Sequence, residues 1–194
     1  MRSRYRDKIW NLTQQQLPIV AASDALYPEI YIESPLRDSG YSTATTGYRR
    51  GEMRSVVSQA VAAGVAVASG GKPVLPFMRT ACFLGKMPCY SKPPYGNGSL
   101  FLSDELVKAG LEVPYEQGAA GVVIYQEQEA VTQPAALAKQ LATVTGPAGE
   151  ALLTRIKACA VAQCSGHGRC MPLSSQQYCE CFAGFTGPKC ASQS

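Results

Sequence analysis

Six cysteines crowd the C-terminal end of this chain, at positions 159, 164, 170, 179, 181 and 190, in the pattern C-x4-C-x5-C-x8-C-x-C-x8-C. Thiols at this density hold a metal or form disulfides. Structural zinc expects paired CxxC spacing, or CxxC followed by histidines. Cys179-x-Cys181 does not match it, and the one histidine, His167, stands in a Gly-His-Gly turn. A polar stretch this short cannot bury enough surface to fold on its core alone, so disulfide staples are expected, and the pairing stays open. Cys82 and Cys89, in a Pro/Gly-rich loop, suit a further local bridge. Disulfides belong in an oxidising compartment, here secreted or lysosomal. The sequons Asn11-Leu12-Thr13 and Asn97-Gly98-Ser99 agree with a glycoprotein.

The single histidine, in a Gly-His-Gly turn, argues against Ser-His-Asp catalysis and against a multi-His metal centre, and neither metal nor cofactor is expected. Carboxylates are the remaining acid–base groups. Glu29 and Glu33 share one face of a strand by period 2, and Glu127 and Glu129 follow Tyr125 at another strand end. Solvated loop carboxylates are the plainer reading of both pairs. The net charge of +4 suits a polyanionic ligand and equally a plain soluble surface; no nucleic-acid partner is expected. Hydrophobic residues make up 46% of the chain, enough for a real core. Charged residues make up 16%, below the usual quarter or so, which argues against a disordered tail or a charged solenoid. No apolar run approaches the roughly 18 residues that span a membrane. Met1 to Pro18 is basic and polar and carries no leader-like apolar stretch. A secreted protein with such a start is expected to begin upstream of it.

These groups need elements to position them. The 194 residues suggest one domain, or one plus a small module. Glu29-Ile30-Tyr31-Ile32-Glu33 alternates like a strand, and Pro35 to Tyr48 reads as loop. Glu52 to Ala68 reads as a helix stopped by Gly70-Gly71. Val74 to Met78 reads as a short buried strand. Ser103 with Asp104 and Glu105 starts a helix running to Lys108 or a little beyond. Val122 to Tyr125 reads as a fully buried strand. Gln133 to Val144 and Gly149 to Ala158 read as two helices split by Gly146-Pro147. Strands alternating with helices indicate parallel β/α units. Only three strands are convincing, which suits the latter part of a barrel rather than a whole one of about 250 residues.

Four ordered segments carry a resemblance. They are Ala25-Leu-Tyr-Pro-Glu-Ile-Tyr31; Pro73-Val-Leu-Pro-Phe77; Phe101-Leu-Ser-Asp-Glu-Leu-Val107 with Gly118-Ala-Ala-Gly-Val-Val-Ile124; and Cys159-x4-Cys164-Ser-Gly-His-Gly-Arg-Cys170. Together, over about residues 23–190, they closely resemble the C-terminal half of animal hyaluronidases, and the cysteine frame resembles an EGF-like module. The implied fold class is α/β: a partial (β/α)-barrel of hyaluronidase type followed by a small disulfide-rich EGF-like module. The implied division is an unmatched segment over 1–22, barrel over 23–158 and EGF-like module over 159–190. The resemblance implies the pairs Cys159–Cys170, Cys164–Cys179 and Cys181–Cys190. Arg155-Ile156-Lys157-Ala158 replaces the acidic cluster of calcium-binding modules, so no calcium is expected.

The family's reaction is endo-cleavage of the β-1,4 bond between N-acetylglucosamine and glucuronate in hyaluronan. The resemblance implies substrate-assisted chemistry, in which a glutamic acid protonates the leaving oxygen and the substrate's own acetamido group attacks. Tyr31 matches the tyrosine that holds that acetamido group. Arg49, or Arg50 beside it, matches an arginine that meets substrate, and a guanidinium suits a glucuronate carboxylate. Tyr125 stands where the family usually has a sugar-lining tryptophan, Phe77 where a tyrosine is common, and Glu29 where a serine is usual. Leu137 stands near a position usually held by cysteine. The family's catalytic Asp-x-Glu does not occur in this sequence. The expectation is therefore a hyaluronidase fragment, inactive alone, with hyaluronan or a related glycosaminoglycan as partner. The alternatives are a non-catalytic secreted binder using Arg37, Arg49, Arg50 and Arg54, and an inactive truncated form.

Overall fold

The computed structural model describes residues 17–30, 44–67, 72–81, 101–125, 133–173 and 176–194. A short helix, α1 (residues 17–22), leads into a parallel ladder. Leu26 bridges Val74, and Glu29 bridges Phe77. Strand β1 (Phe77–Arg79) pairs with β2 (Val123–Tyr125) in the register Phe77↔Val123, Met78↔Ile124 and Arg79↔Tyr125. Residues 72–79 are thus the central rail. The rail is regular only from Phe77, because Pro73 and Pro76 have no N–H to give. Their carbonyls still accept, from Leu26 at 2.9 Å and from Val123 at 2.9 Å.

Helices α2 (Ala44–Val67) and α3 (Asp104–Glu116) pack behind the ladder. On α2, Met53 and Val57 are buried four residues apart. On α3, Leu106, Val107, Gly110, Leu111, Val113 and Pro114 form the buried stripe. They meet Ile30, Val74, Met78 and Leu102 in one core, which α5 joins through Ala148. Each fully buried Val, Leu or Met side chain contributes about 1.5–3 kcal/mol. Gly110 lets α3 close on the ladder, since a Cβ there would lie 2.7 Å from Met78 Sδ.

Several elements differ from the sequence expectations. Helix α2 starts at Ala44 and takes in Tyr48, expected as loop. Helix α3 runs on to Glu116 and carries Pro114 inside its last turns. Ser103 takes the N-cap position with extended backbone, but its hydroxyl makes no capping bond; Asp104 and Glu105 supply first-turn negative charge instead. The two expected C-terminal helices are one continuous run: α4 (Pro134–Gln140), a π turn (Leu141–Thr145) and α5 (Gly146–Cys164). Proline is tolerated in a first helical turn, and the wider turn before it lets the chain pass Gly146-Pro147 unbroken. Strand β2 is not fully buried: Ile124 is 42% exposed. An unalternating apolar run signals burial on both faces, but here β2 pairs with β1 and its last residues meet solvent.

Cys159 and Cys164 ride on the end of α5, which stops where Ser165 and Gly166 take positive φ. Hairpin β3 (Gly168–Leu173) and β4 (Gln176–Cys181) follows, then the short pair β5 (Phe185–Thr186) and β6 (Ser192–Gln193). Disulfides join Cys159 to Cys170, Cys164 to Cys179 and Cys181 to Cys190. The Cys82–Cys89 bridge lies outside the described residues. Two polar contacts seat this unit on α3 and the loop after it. Tyr115 donates its hydroxyl to Cys170 O at 3.1 Å, and Arg169 donates to Ala120 O at 3.3 Å while pairing with Glu180.

Two measurements check this packing. A Cβ on Gly168 would sit 2.6 Å from Cys190 Sγ and 2.9 Å from Glu180 O, whereas Gly149, inside α5, has nothing within 4 Å. Gly168→Ala is expected to lower the melting temperature and scramble the Cys181–Cys190 pair in disulfide mapping. Gly149→Ala is expected to stabilise by about 0.5–1 kcal/mol. Burial pushes the Tyr115 phenol above its ordinary 10.0, with the Arg155 guanidinium opposing. A raised folded value gives stability that is complete below the unfolded value and lost as pH rises through the folded one. Melting temperature is therefore expected to fall more steeply above about pH 10 in the wild type than in Tyr115→Phe. Equal slopes would contradict the contact.

Candidate functional site

The ladder has two faces, set by period 2. Met78 points back into the helical core, fully buried. Phe77 and Arg79 therefore point the other way, with Val123 and Tyr125 beside them in register. Glu29 joins the same row through its bridge to Phe77. Tyr27, two residues earlier, lies with its ring centroid 5.5 Å from that of Phe77, tilted by 32°.

This face is amphipathic in a graded way. Phe77 is half-buried, Glu29 and Tyr27 are exposed, and Tyr125 is 46% exposed. Arg79 is only 8% exposed, and its guanidinium carbon lies 5.7 Å from the Tyr125 ring centroid. Arg79 and Tyr125 end their strands, so both stand at the carboxyl end of a parallel ladder. In α/β folds ligands bind at that end, because the loops there are free to shape a site. Aromatic rings, a carboxylate and a guanidinium together suit a sugar polymer carrying polar and anionic groups. Among the described residues no group of three or more His, Cys, Asp or Glu side chains is placed to hold a metal ion.

The structure thus brings together three of the residues singled out from the sequence: Glu29, Phe77 and Tyr125. Arg49 and Arg50 lie on the α2 backbone, near its start. Arg54, further along α2, is held by Glu116 at 3.0 Å. Tyr31, Glu33, Arg37, Glu127 and Glu129 lie outside the described residues. Leu137 packs against Ala81 and Phe101. Tyr27 and Arg79 were not singled out. The available signal was the alternation itself: Tyr27 sits two before Glu29, and Arg79 two after Phe77.

Comparison with known proteins gives a consistent result. A family model described as hyaluronidase matches residues 11–181. Hyaluronidase-1 of Homo sapiens is 29% identical over 156 residues, covering 79% of this chain and 31% of that protein. The chain therefore spans less than a third of this curated relative. Bee venom hyaluronidase, solved in complex with a hyaluronic acid tetramer, aligns with a TM-score of 0.55 at 18% identity over 73% of this chain and 39% of that one. A monoclinic crystal structure of bee venom hyaluronidase aligns with a TM-score of 0.52 at 19% identity, over 71% and 39% of the two chains. At such identity these structures speak for the fold.

The two-faced ladder makes a direct prediction. Met78→Ala is expected to cost about 2–5 kcal/mol in urea unfolding, and Phe77→Ala clearly less. The reverse order would put Phe77 in the core and remove it from the site.

Proposed function

The chain belongs to the hyaluronidase family, and from that premise we propose that it forms the substrate-holding part of a hyaluronan-degrading glycoside hydrolase. The observation that carries this reading is the shared face of Glu29, Phe77, Arg79 and Tyr125 at the carboxyl end of a parallel ladder. The fold that goes with it is part of a (β/α) barrel, with residues 159–190 as an EGF-like module. Helices packed behind the ladder and the three disulfides support that reading. The disulfides also support a secreted or lysosomal setting. No helix among the described residues is long and apolar enough to cross a membrane.

In this reading the reaction is endo-hydrolysis of β-1,4 N-acetylglucosaminide bonds. Tyr125 offers a ring face to a sugar, smaller than a tryptophan, and Phe77 extends the apolar floor without a hydroxyl. Tyr31 orients the acetamido oxygen, and Arg49, with Arg50 as its alternative, meets a glucuronate carboxylate. Cleavage also needs a proton donor at the leaving oxygen, a contribution of about 10²–10⁴-fold. The family's Asp-x-Glu does not occur in these 194 residues. The reading therefore assigns them binding and orientation, and assigns the acid to a longer chain.

The test uses hyaluronan oligosaccharides for affinity and high-molecular-mass hyaluronan for chain length. The chain is expected to bind the oligosaccharides, more weakly as salt rises, and to leave polymer length unchanged. A longer chain that joins these residues to an Asp-x-Glu segment is expected to shorten the polymer. Binding without shortening in that longer chain too would favour the non-catalytic binder. That alternative already has one of its four arginines, Arg54, engaged by Glu116. No binding at low salt would overturn the proposal.

A further inference from the structure

Arg79 is a cation on the inner side of the site's exposed ring. It sits opposite Tyr125 in the ladder, on the same face, with its guanidinium carbon 5.7 Å from the ring centroid. That lies within the roughly 6 Å over which a cation and an aromatic face attract. The two residues differ sharply in exposure: Arg79 is buried, Tyr125 is nearly half open. A buried guanidinium has little room to reach a polymer itself. It can fix the ring that does.

We propose that Arg79 is a positioning residue of the site, acting through Tyr125 to hold that ring as the surface on which an acidic sugar polymer rests. The proposal rests on the reading of Tyr125 as a sugar-contacting ring. Three features support it. Tyr125 is 46% exposed, so its ring depends on the neighbours it does have to set its orientation. Arg79 is the last residue of β1, anchored just before Thr80, whose carbonyl accepts from Leu102 N–H at 2.8 Å. The anchor is buried, and the ring it faces is open to solvent. A tyrosine also fills less of a groove than a larger aromatic would, so its orientation matters more to the contact.

The test is a double-mutant cycle on binding of a hyaluronan hexasaccharide, with a neutral N-acetylglucosamine hexasaccharide alongside. Tyr125→Leu is expected to weaken hyaluronan binding. Arg79→Met, which keeps the length and loses the charge, is expected to weaken it about threefold to fivefold. Arg79→Lys should fall between. In the Tyr125→Leu background Arg79→Met should add almost nothing, because the ring through which it acts is gone. Independent, additive losses would overturn the proposal, and so would unchanged binding in Arg79→Met. If Arg79→Met does not fold, Arg79→Lys is carried through the same cycle with the same criteria. If Tyr125→Leu alone leaves binding intact, the ring is not a sugar contact, and the reading beneath the proposal fails with it. One readout needs no sugar. In protein with labelled tyrosine rings, Arg79→Met is expected to move the Tyr125 ring resonances, and unmoved resonances would show that Arg79 does not position the ring.

Discussion

Burial of Met78 between the ladder and α3 fixes which way β1 faces. Its side chain fills the space that Gly110 leaves open, against Leu106 and Val107 of α3. Because strand side chains alternate, a one-residue slip would put Met78 into solvent and Phe77 into the core. The burial that stabilises the core therefore also presents Phe77 and Arg79 on the opposite face. Register then carries the arrangement sideways, to Val123 and Tyr125 on one side and to Glu29 on the other. Candidate site and core are two faces of the same three short segments.

The C-terminal unit solves a different problem. Among its described residues, a buried cluster is made of Cys164, Cys170 and Cys190, with Phe185 packed against it. Disulfides stabilise such a unit mainly by restricting the unfolded chain. Because two of the six cysteines lie on α5, the unit begins on a helix that also reaches the main core through Ala148. Tyr115 and Arg169 add directional contacts with α3 and its following loop. The unit is thus tied to the body covalently, through α5, and by hydrogen bonds.

Much of this was legible in the sequence, for identifiable reasons. The Ser103-Asp104-Glu105 start of α3 and the run at Val122–Tyr125 announced their elements, and the alternation of strands and helices announced a parallel ladder. The length of α3 was not legible, because Pro114 reads as a stop and tertiary burial overrode it. The continuity across Gly146-Pro147 was hidden for the same reason, since both residues signal a break and a π turn absorbed them. The exposure of Ile124 could not be seen, because an apolar run does not say which of its faces is covered. Of the candidate site, Glu29, Phe77 and Tyr125 were singled out through family resemblance, and the ladder register places them on one face. Arg79 was not, because an arginine within an apolar strand carries no chemical motif. Only register against Tyr125 gives it a partner.

On the proposed reading, one face of the ladder, at its carboxyl end, receives the sugar polymer. Backbone amide shifts mapped during titration with a hyaluronan tetrasaccharide would locate that contact residue by residue. The perturbed amides are expected to cluster at residues 77–81 and 123–125 and around Glu29, with the C-terminal unit and the outer turns of α5 unmoved. Perturbations confined to residues 159–194, or to the exposed side of α5, would contradict it.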